Sequence, residues 1–224
     1  MASTFADYLR SRWNECIQAN DAELILAAQK RDKWILEKIE NHRNRLMTEA
    51  ERTEWSVDAI LESIKTESVY RPFFRKDPSK QSIHQTCQIE WLKKHKYADT
   101  VLMPSNTDGW CFSKHKLHHI TKATPRPSDA TKTFDIHSAS EKVYGTLKYT
   151  NEPGGAQDNQ FNDVKHFIEQ AVGYYSVNAL AEERFEFYLD GDYYTTKKRE
   201  ELLAMIPEAL RSKIVITSCE SSKP

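Results

Sequence analysis

The sequence predicts an α/β protein: a mixed sheet flanked by helices, preceded by an N-terminal helical region. Three observations lead to this. Residues 5–67 are rich in helix formers and contain neither proline nor glycine, so nothing interrupts helical hydrogen bonding there. From about residue 133 onward, short β-branched and aromatic runs alternate with longer helical patterns, the signature of strands and helices that cover one another. Pro72 and Pro78 separate the two regimes. The expected domains are therefore 1–70, helical, and 71–224, α/β.

Element by element, helices are expected over about Phe5–Ile17, Ala22–Met47 and Glu49–Ile64. Asn20 or Asp21 is placed to cap the second, and Thr48 followed by Glu51 matches a capping box for the third,. Trp34, Ile35, Ile39 and Leu46 lie near helical spacing and read as core. After the prolines, the segment from Ile83 forms a helix, Val101–Leu102 begins a strand, Asn106–Trp110 is a turn and residues 113–133 are mostly loop. Strands then follow over Thr133–His137 and Lys142–Thr150, and a Pro-Gly-Gly turn leads into a helix from Asp158 to about Leu180. Phe185–Leu189 is a strand, Thr196–Met205 a helix and Lys213–Ser218 a strand,.

The bulk composition narrows the function classes. At 39% hydrophobic and 29% charged, the chain has a globular composition rather than a disordered one. No apolar run approaches the roughly 18 residues that span a bilayer, so no membrane association is expected. The first residues lack a basic start followed by an apolar core, and four scattered cysteines (Cys16, Cys87, Cys111, Cys219) form no disulfide framework,. These features give the expectation of a reduced, intracellular, cytoplasmic protein.

Net charge is −1, but its distribution is uneven. Residues 71–133 carry 12 Lys and Arg against 5 Asp and Glu, while 1–70 carry 10 against 13 and 134–224 carry 10 against 15. Phosphate binding follows local patches rather than overall charge. Arg71, Arg75, Lys76, Lys80, Lys114, Lys116, Lys122 and Arg126 are the candidate phosphate contacts in this basic block. An excess of charge in a solvated loop is the plainer reading of the same count.

The segment Phe134–Asp163 carries the chemistry. Asp135 ends a short apolar run, and Tyr144, Thr146 and Lys148 share one face of the next strand. A Gly-Gly turn at Gly154–Gly155 then precedes a helix that opens with Gln157 and Gln160. An aspartate beside a lysine on adjacent strands suits a hard divalent cation, Mg²⁺, bound through oxygen, with the ammonium stabilising charge on a scissile phosphate.

Phe134-Asp135, then Thr146-Leu147-Lys148, the Gly-Gly turn and the Gln-bearing helix together resemble the PD-(D/E)XK nuclease superfamily. The likeness is to type II restriction endonucleases, more narrowly to type IIS-like cleavage domains, over roughly residues 80–220. It implies a restriction-endonuclease-like sheet and a Mg²⁺-dependent deoxyribonuclease cutting duplex DNA. Its site would comprise Asp135 as metal ligand, Lys148 as charge stabiliser, Gln160 as a supporting group, and Glu90, on the preceding helix, as a second metal ligand. Cutting both strands implies a homodimer, with the helices of 1–70 serving dimerisation or DNA contact. The sequence departs from the family at one position: the pattern wants an acid two residues before the lysine, and Thr146 stands there. Either Glu141, Glu152 or Asp158 supplies the acid from elsewhere, or the chain is a non-cleaving relative, or a substitution at 146 disables cleavage.

Other readings stand beside the nuclease. Asp135 and Lys148 taken alone also read as an ordinary strand-end acid and a surface lysine; as a separate class, the protein is a DNA-binding or partner-binding module on a degenerate nuclease sheet, with helices 5–67 as its interaction surface. Alternatively His84, Cys87, Cys111 and His115, with His118 and His119 nearby, offer zinc-type ligands, although no Cys-x-x-Cys pair fixes the spacing.

Overall fold

The computed structural model describes residues 4–103, 107–151 and 154–222, without the side chains of Lys80, Gln81, Ala156 and Ser222. The chain divides into two compact units, Ala6–Ile83 and His84–Pro224 with Met1–Phe5. This division falls later than the boundary expected after Tyr70. The reason is that Phe74 is buried in the helical core, while Arg71 donates to the carbonyls of Ile64 and Lys65.

The helical unit contains α1 (Phe5–Lys30), α2 (Lys33–Leu46), α3 (Glu49–Glu54), α4 (Val57–Thr66) and α5 (Arg71–Phe74). The break expected near residues 18–21 does not occur. Asn20 is nearly buried and donates to the Lys76 carbonyl at 3.0 Å, and Asp21 pairs with Arg75 at 3.3 Å. Both residues serve tertiary contacts, so neither caps a helix. The chain instead turns at Arg31, in the left-handed region at φ 56°. The capping box at Thr48 and Glu51 forms as the sequence predicts, with both reciprocal bonds present,. Leu24, Ile35, Ile39, Ile60, Leu61, Ile64 and Phe74 build the core. Leu46, expected in the apolar stripe, is 71% exposed.

The second unit is a five-stranded mixed sheet with helices on both faces. It runs through α6 (Ile83–His95), β1 (Val101–Leu102), β2 (Gly109–Ser113), β3 (Lys116–Ile120), β4 (Ile136–Ser138), β5 (Val143–Tyr149), α7 (Gly155–Val177), β6 (Arg184–Asp190), α8 (Thr196–Ala204) and β7 (Ile214–Thr217). The sheet order is β1-β4-β5-β6-β7. The pairs β1–β4 and β4–β5 are antiparallel, while β5–β6 and β6–β7 are parallel. A short link joins β4 to β5, the β2–β3 hairpin lies in the chain between β1 and β4, and helices join the parallel pairs, as connection geometry requires,.

The register sorts the strand residues into two faces. Tyr144, Thr146 and Lys148 pair with Phe185, Phe187 and Leu189, and Tyr144, Phe185, Phe187 and Leu189 pack with Phe161, Val164, Phe167 and Ile168 of α7. The opposite face carries Glu186, Tyr188 and Asp190 toward α6, where Gln88 reaches Asp190 and Lys96 reaches Glu186.

Residues 113–133, expected as loop, contain β3. It forms a hairpin with β2, joined by Lys114 and His115 at φ 48° and 60°. Two consecutive left-handed residues make a type I′ connection, usually signalled by Asn or Gly; Lys-His carries no such signal. The turn is held on α7, where the His115 amide donates to Gln170 at 2.9 Å. Gly173 there admits the imidazole: an added Cβ would meet His115 Nδ1 at 2.0 Å.

Gly145 tests how tightly β4 and β5 are joined. A Cβ there would lie 2.6 Å from Ile136 Cγ1 and 3.3 Å from the Glu186 carbonyl oxygen. Gly145→Ala is therefore expected to destabilise the fold by about 1–3 kcal/mol, read as a lower urea midpoint by circular dichroism. An unchanged midpoint would show that the strands separate without cost.

Candidate functional site

Asp135 sits one residue before β4, where its strand would meet the outer half of β5. Its backbone N–H continues the ladder to the Gly145 carbonyl at 2.9 Å. Beyond that point the side chain takes over: Oδ2 accepts from the Leu147 amide at 2.8 Å and lies 3.5 Å from Lys148 Nζ. From α6, Gln85 donates to Oδ1 at 3.2 Å. The Asp135 and Lys148 side chains keep 20% and 17% of their surface, so the pair is partly desolvated yet open to a ligand.

The other expected members are arranged differently. Thr146 is fully buried and its hydroxyl has no hydrogen-bond partner among the described residues. Gln160 meets the Thr150 hydroxyl at 3.4 Å, two residues beyond Lys148. Glu90 lies two residues past Gln88, about 200° further round the helix, away from the side that carries Gln85 and Gln88 to the sheet. Of the alternative acids, Glu141 pairs with Arg184 at 3.7 Å at the opposite end of β5. Asp158 accepts from Tyr193 at 2.6 Å, and Glu152 lies outside the described residues.

Among the described residues, no group of three or more His, Cys, Asp or Glu side chains is placed to hold a metal ion. The chemistry of the donors agrees. Mg²⁺ needs oxygen ligands with negative charge to spare. The single carboxylate here already accepts two N–H groups and faces an ammonium. The residues present do not fit a resident Mg²⁺. The zinc set does not assemble either. His84 stacks flat on Tyr149 at 3.9 Å and Cys87 is buried in α6, whereas Cys111 faces the His118 carbonyl in the hairpin and His115 docks on α7.

The basic block is divided. Arg71 closes the end of α4, Arg75 binds Asp21, and Lys76 binds Glu23 at 2.7 Å, all within the helical unit. The Lys80 side chain lies outside the described residues. Lys114 and Lys116 are exposed at the hairpin tip, beside Gln170, which is about 15 Å of helix rise from Gln160. Lys122 and Arg126 are exposed after β3, with Arg126 donating to the Ala130 carbonyl at 3.2 Å. Of the seven described cations, Arg71, Arg75 and Lys76 belong to the helical unit and Lys114, Lys116, Lys122 and Arg126 to the second.

Two residues absent from the expected set belong to the site. Gln85 orients Asp135, and Gln88 donates to the Lys148 carbonyl at 3.3 Å and to Asp190 Oδ2 at 2.7 Å. Two amides three apart, and so on one side of α6, are the only local trace of them,. Asp190 is itself buried, with its other oxygen on the Cys219 amide at 3.0 Å.

Burial raises the Asp190 carboxyl above its ordinary range, against the lowering effect of the Gln88 and Cys219 bonds and of Arg199. The folded state then holds this proton more tightly than the unfolded chain, so its contribution to stability is present at low pH and falls as pH rises through the raised value. Relative to Asp190→Asn, the parent is expected to lose unfolding free energy from pH 4 to 7 in urea titrations. A parent that instead gains on the variant would show that the hydrogen bonds outweigh burial. Comparison with known proteins finds no matching family model, no matching curated protein and no matching solved structure.

Proposed function

We propose that this chain is a DNA-directed protein on a nuclease-type sheet, in which Asp135 and Lys148 meet a backbone phosphate, and that with threonine at 146 it binds duplex DNA without cutting it. The observation that carries this reading is the 3.5 Å Asp135–Lys148 pair, open to solvent at the ends of two adjacent strands. An ammonium has three donors, so one directed at Asp135 leaves two for phosphate oxygens. Hydrolysis needs more: a water to be activated and charge on the leaving oxygen to be stabilised. One carboxylate, already engaged by Leu147, Gln85 and Lys148, is poorly disposed to supply this.

A second reading is favoured by the same pair and by the order of strands and helices: a type II restriction-type endonuclease that uses Mg²⁺ and cuts both strands as a homodimer. It requires an acid in place of Thr146, which lies on the face shared with Lys148 and beside Asp135.

Duplex DNA with Mg²⁺ or Mn²⁺ separates the two. The parent is expected to bind without cutting, and Thr146→Glu, once circular dichroism shows it folded, to cleave at least about 100-fold faster. Lys148→Ala should weaken duplex binding and reduce the slope of log affinity against log salt by about one. Cleavage by the parent as fast as by the variant would establish an active endonuclease. Duplex binding indifferent to Lys148 would remove the site from both readings.

A further inference from the structure

The helical unit carries a second candidate site that shares no residue with the Asp135–Lys148 pair. The apolar stripe of α2 is buried at Ile35 and Ile39 and then runs out. One turn further along, a cleft of about 450 Å³ opens between α2 and α5, lined by Lys38, Asn41, His42, Arg45, Leu46 and Phe73. On α2 the first four follow the spacing i, i+3, i+4, i+7, which sets them on one helix face. Phe73 is 61% exposed, and His42 meets it edge-on and Phe74 at a tilt, with ring centres at 5.9 and 5.1 Å. The Lys38 ammonium is fixed in the wall by the carbonyls of Phe74 and Arg75, at 2.7 and 3.3 Å.

Among the described residues the lining has no acid. The nearby carboxylates of α2 are committed elsewhere, Glu37 to Lys33 at 3.6 Å and Glu40 to Arg43 at 3.0 Å. A cationic wall beside an exposed aromatic ring fits a ligand that joins an anion to a flat ring. Apolar partners would leave Arg45 and Asn41 unused, and a simple anion would leave Phe73 unused. We propose that this cleft binds a nucleoside phosphate, with the base stacked on Phe73, the phosphate at Arg45, and the Asn41 amide at the base edge. This is the combination of stacking platform and backbone cation by which single strands are held.

The test is fluorescence anisotropy of a labelled twelve-residue oligothymidylate, with thymidine monophosphate, inorganic phosphate and hexaglutamate as competitors. Phe73→Ala and Arg45→Ala should each weaken oligonucleotide binding by roughly tenfold or more. Phe73→Trp, which keeps a ring, should bind as tightly as the parent. Lys33→Ala removes an equal charge from α2 outside the cleft and serves as control. Thymidine monophosphate should compete where inorganic phosphate at the same concentration does not. Weak competition by the mononucleotide would identify a nucleic-acid strand as the source, and strong competition a free nucleotide; both support the site. The series is repeated with Lys148→Ala in the background, so that failure of the sheet site and failure of this one are read separately. Binding by Phe73→Ala within twofold of the parent, equal loss in Lys33→Ala, or hexaglutamate competing as well as the nucleotide would overturn the proposal.

Discussion

The second unit depends on one hydrogen bond, from the Leu147 amide to the Asp135 carboxylate. β5 is paired with β6 along its whole length, but β4 begins only at Ile136. The outer half of β5 therefore has N–H groups on its β4 side with no strand to receive them, and such groups inside a protein must find partners. Asp135 meets this need with its side chain. A charged acceptor makes a stronger bond than a carbonyl, and placing it there also brings the carboxylate to Lys148. The structural duty and the candidate chemical one fall on the same atoms. This explains why the carboxylate is well positioned and at the same time poorly available to a metal.

Much of this was legible in the sequence, and the reasons for the misses are physical. β5, β6, β7, α7 and α8 lie within a few residues of their expected bounds because period and breakers agree there. Thr48 and Glu51 were readable because a capping box is wholly local. Asn20 and Asp21 misled because the same side chains that cap a helix also make long-range bonds, and here Lys76 and Arg75 claim them. The β2–β3 hairpin was missed because its turn is Lys-His, held by a contact with α7 that no local pattern announces. At the site, strand alternation gave Lys148 its face and the neighbouring strand brought Asp135 to it. The amide pair of α6 does not by itself reveal the role of Gln85, because its partner lies fifty residues away.

The basic block shows the limit of counting charge along a chain. Its excess of cations is real, yet Arg71, Arg75 and Lys76 are consumed by helix ends and by acids of α1, in a different unit from Lys114, Lys122 and Arg126. Electrostatic attraction depends on where charges lie in space. The α2–α5 cleft makes the converse point: residues 1–70 are acidic in sum, and among the described residues the cleft between these helices has no acid in its lining.

The same rule that places Asp135 governs the other end of the network. Asp190 ends β6 as Asp135 precedes β4, and it too accepts a backbone amide, that of Cys219. A carboxylate in this position is costly to bury, which is why Gln88 and the nearby Arg199 accompany it. Gln88 then spans from Asp190 to the Lys148 carbonyl, so the strand segment that presents the lysine is held by α6 on one face while its ammonium faces Asp135 on the other. Two acids are thus fixed by backbone amides, and two glutamines of one helix reach them, Gln85 at Asp135 and Gln88 at Asp190 and at β5. These bonds hold the backbone of a single lysine, only partly exposed, while its ammonium lies beside Asp135,.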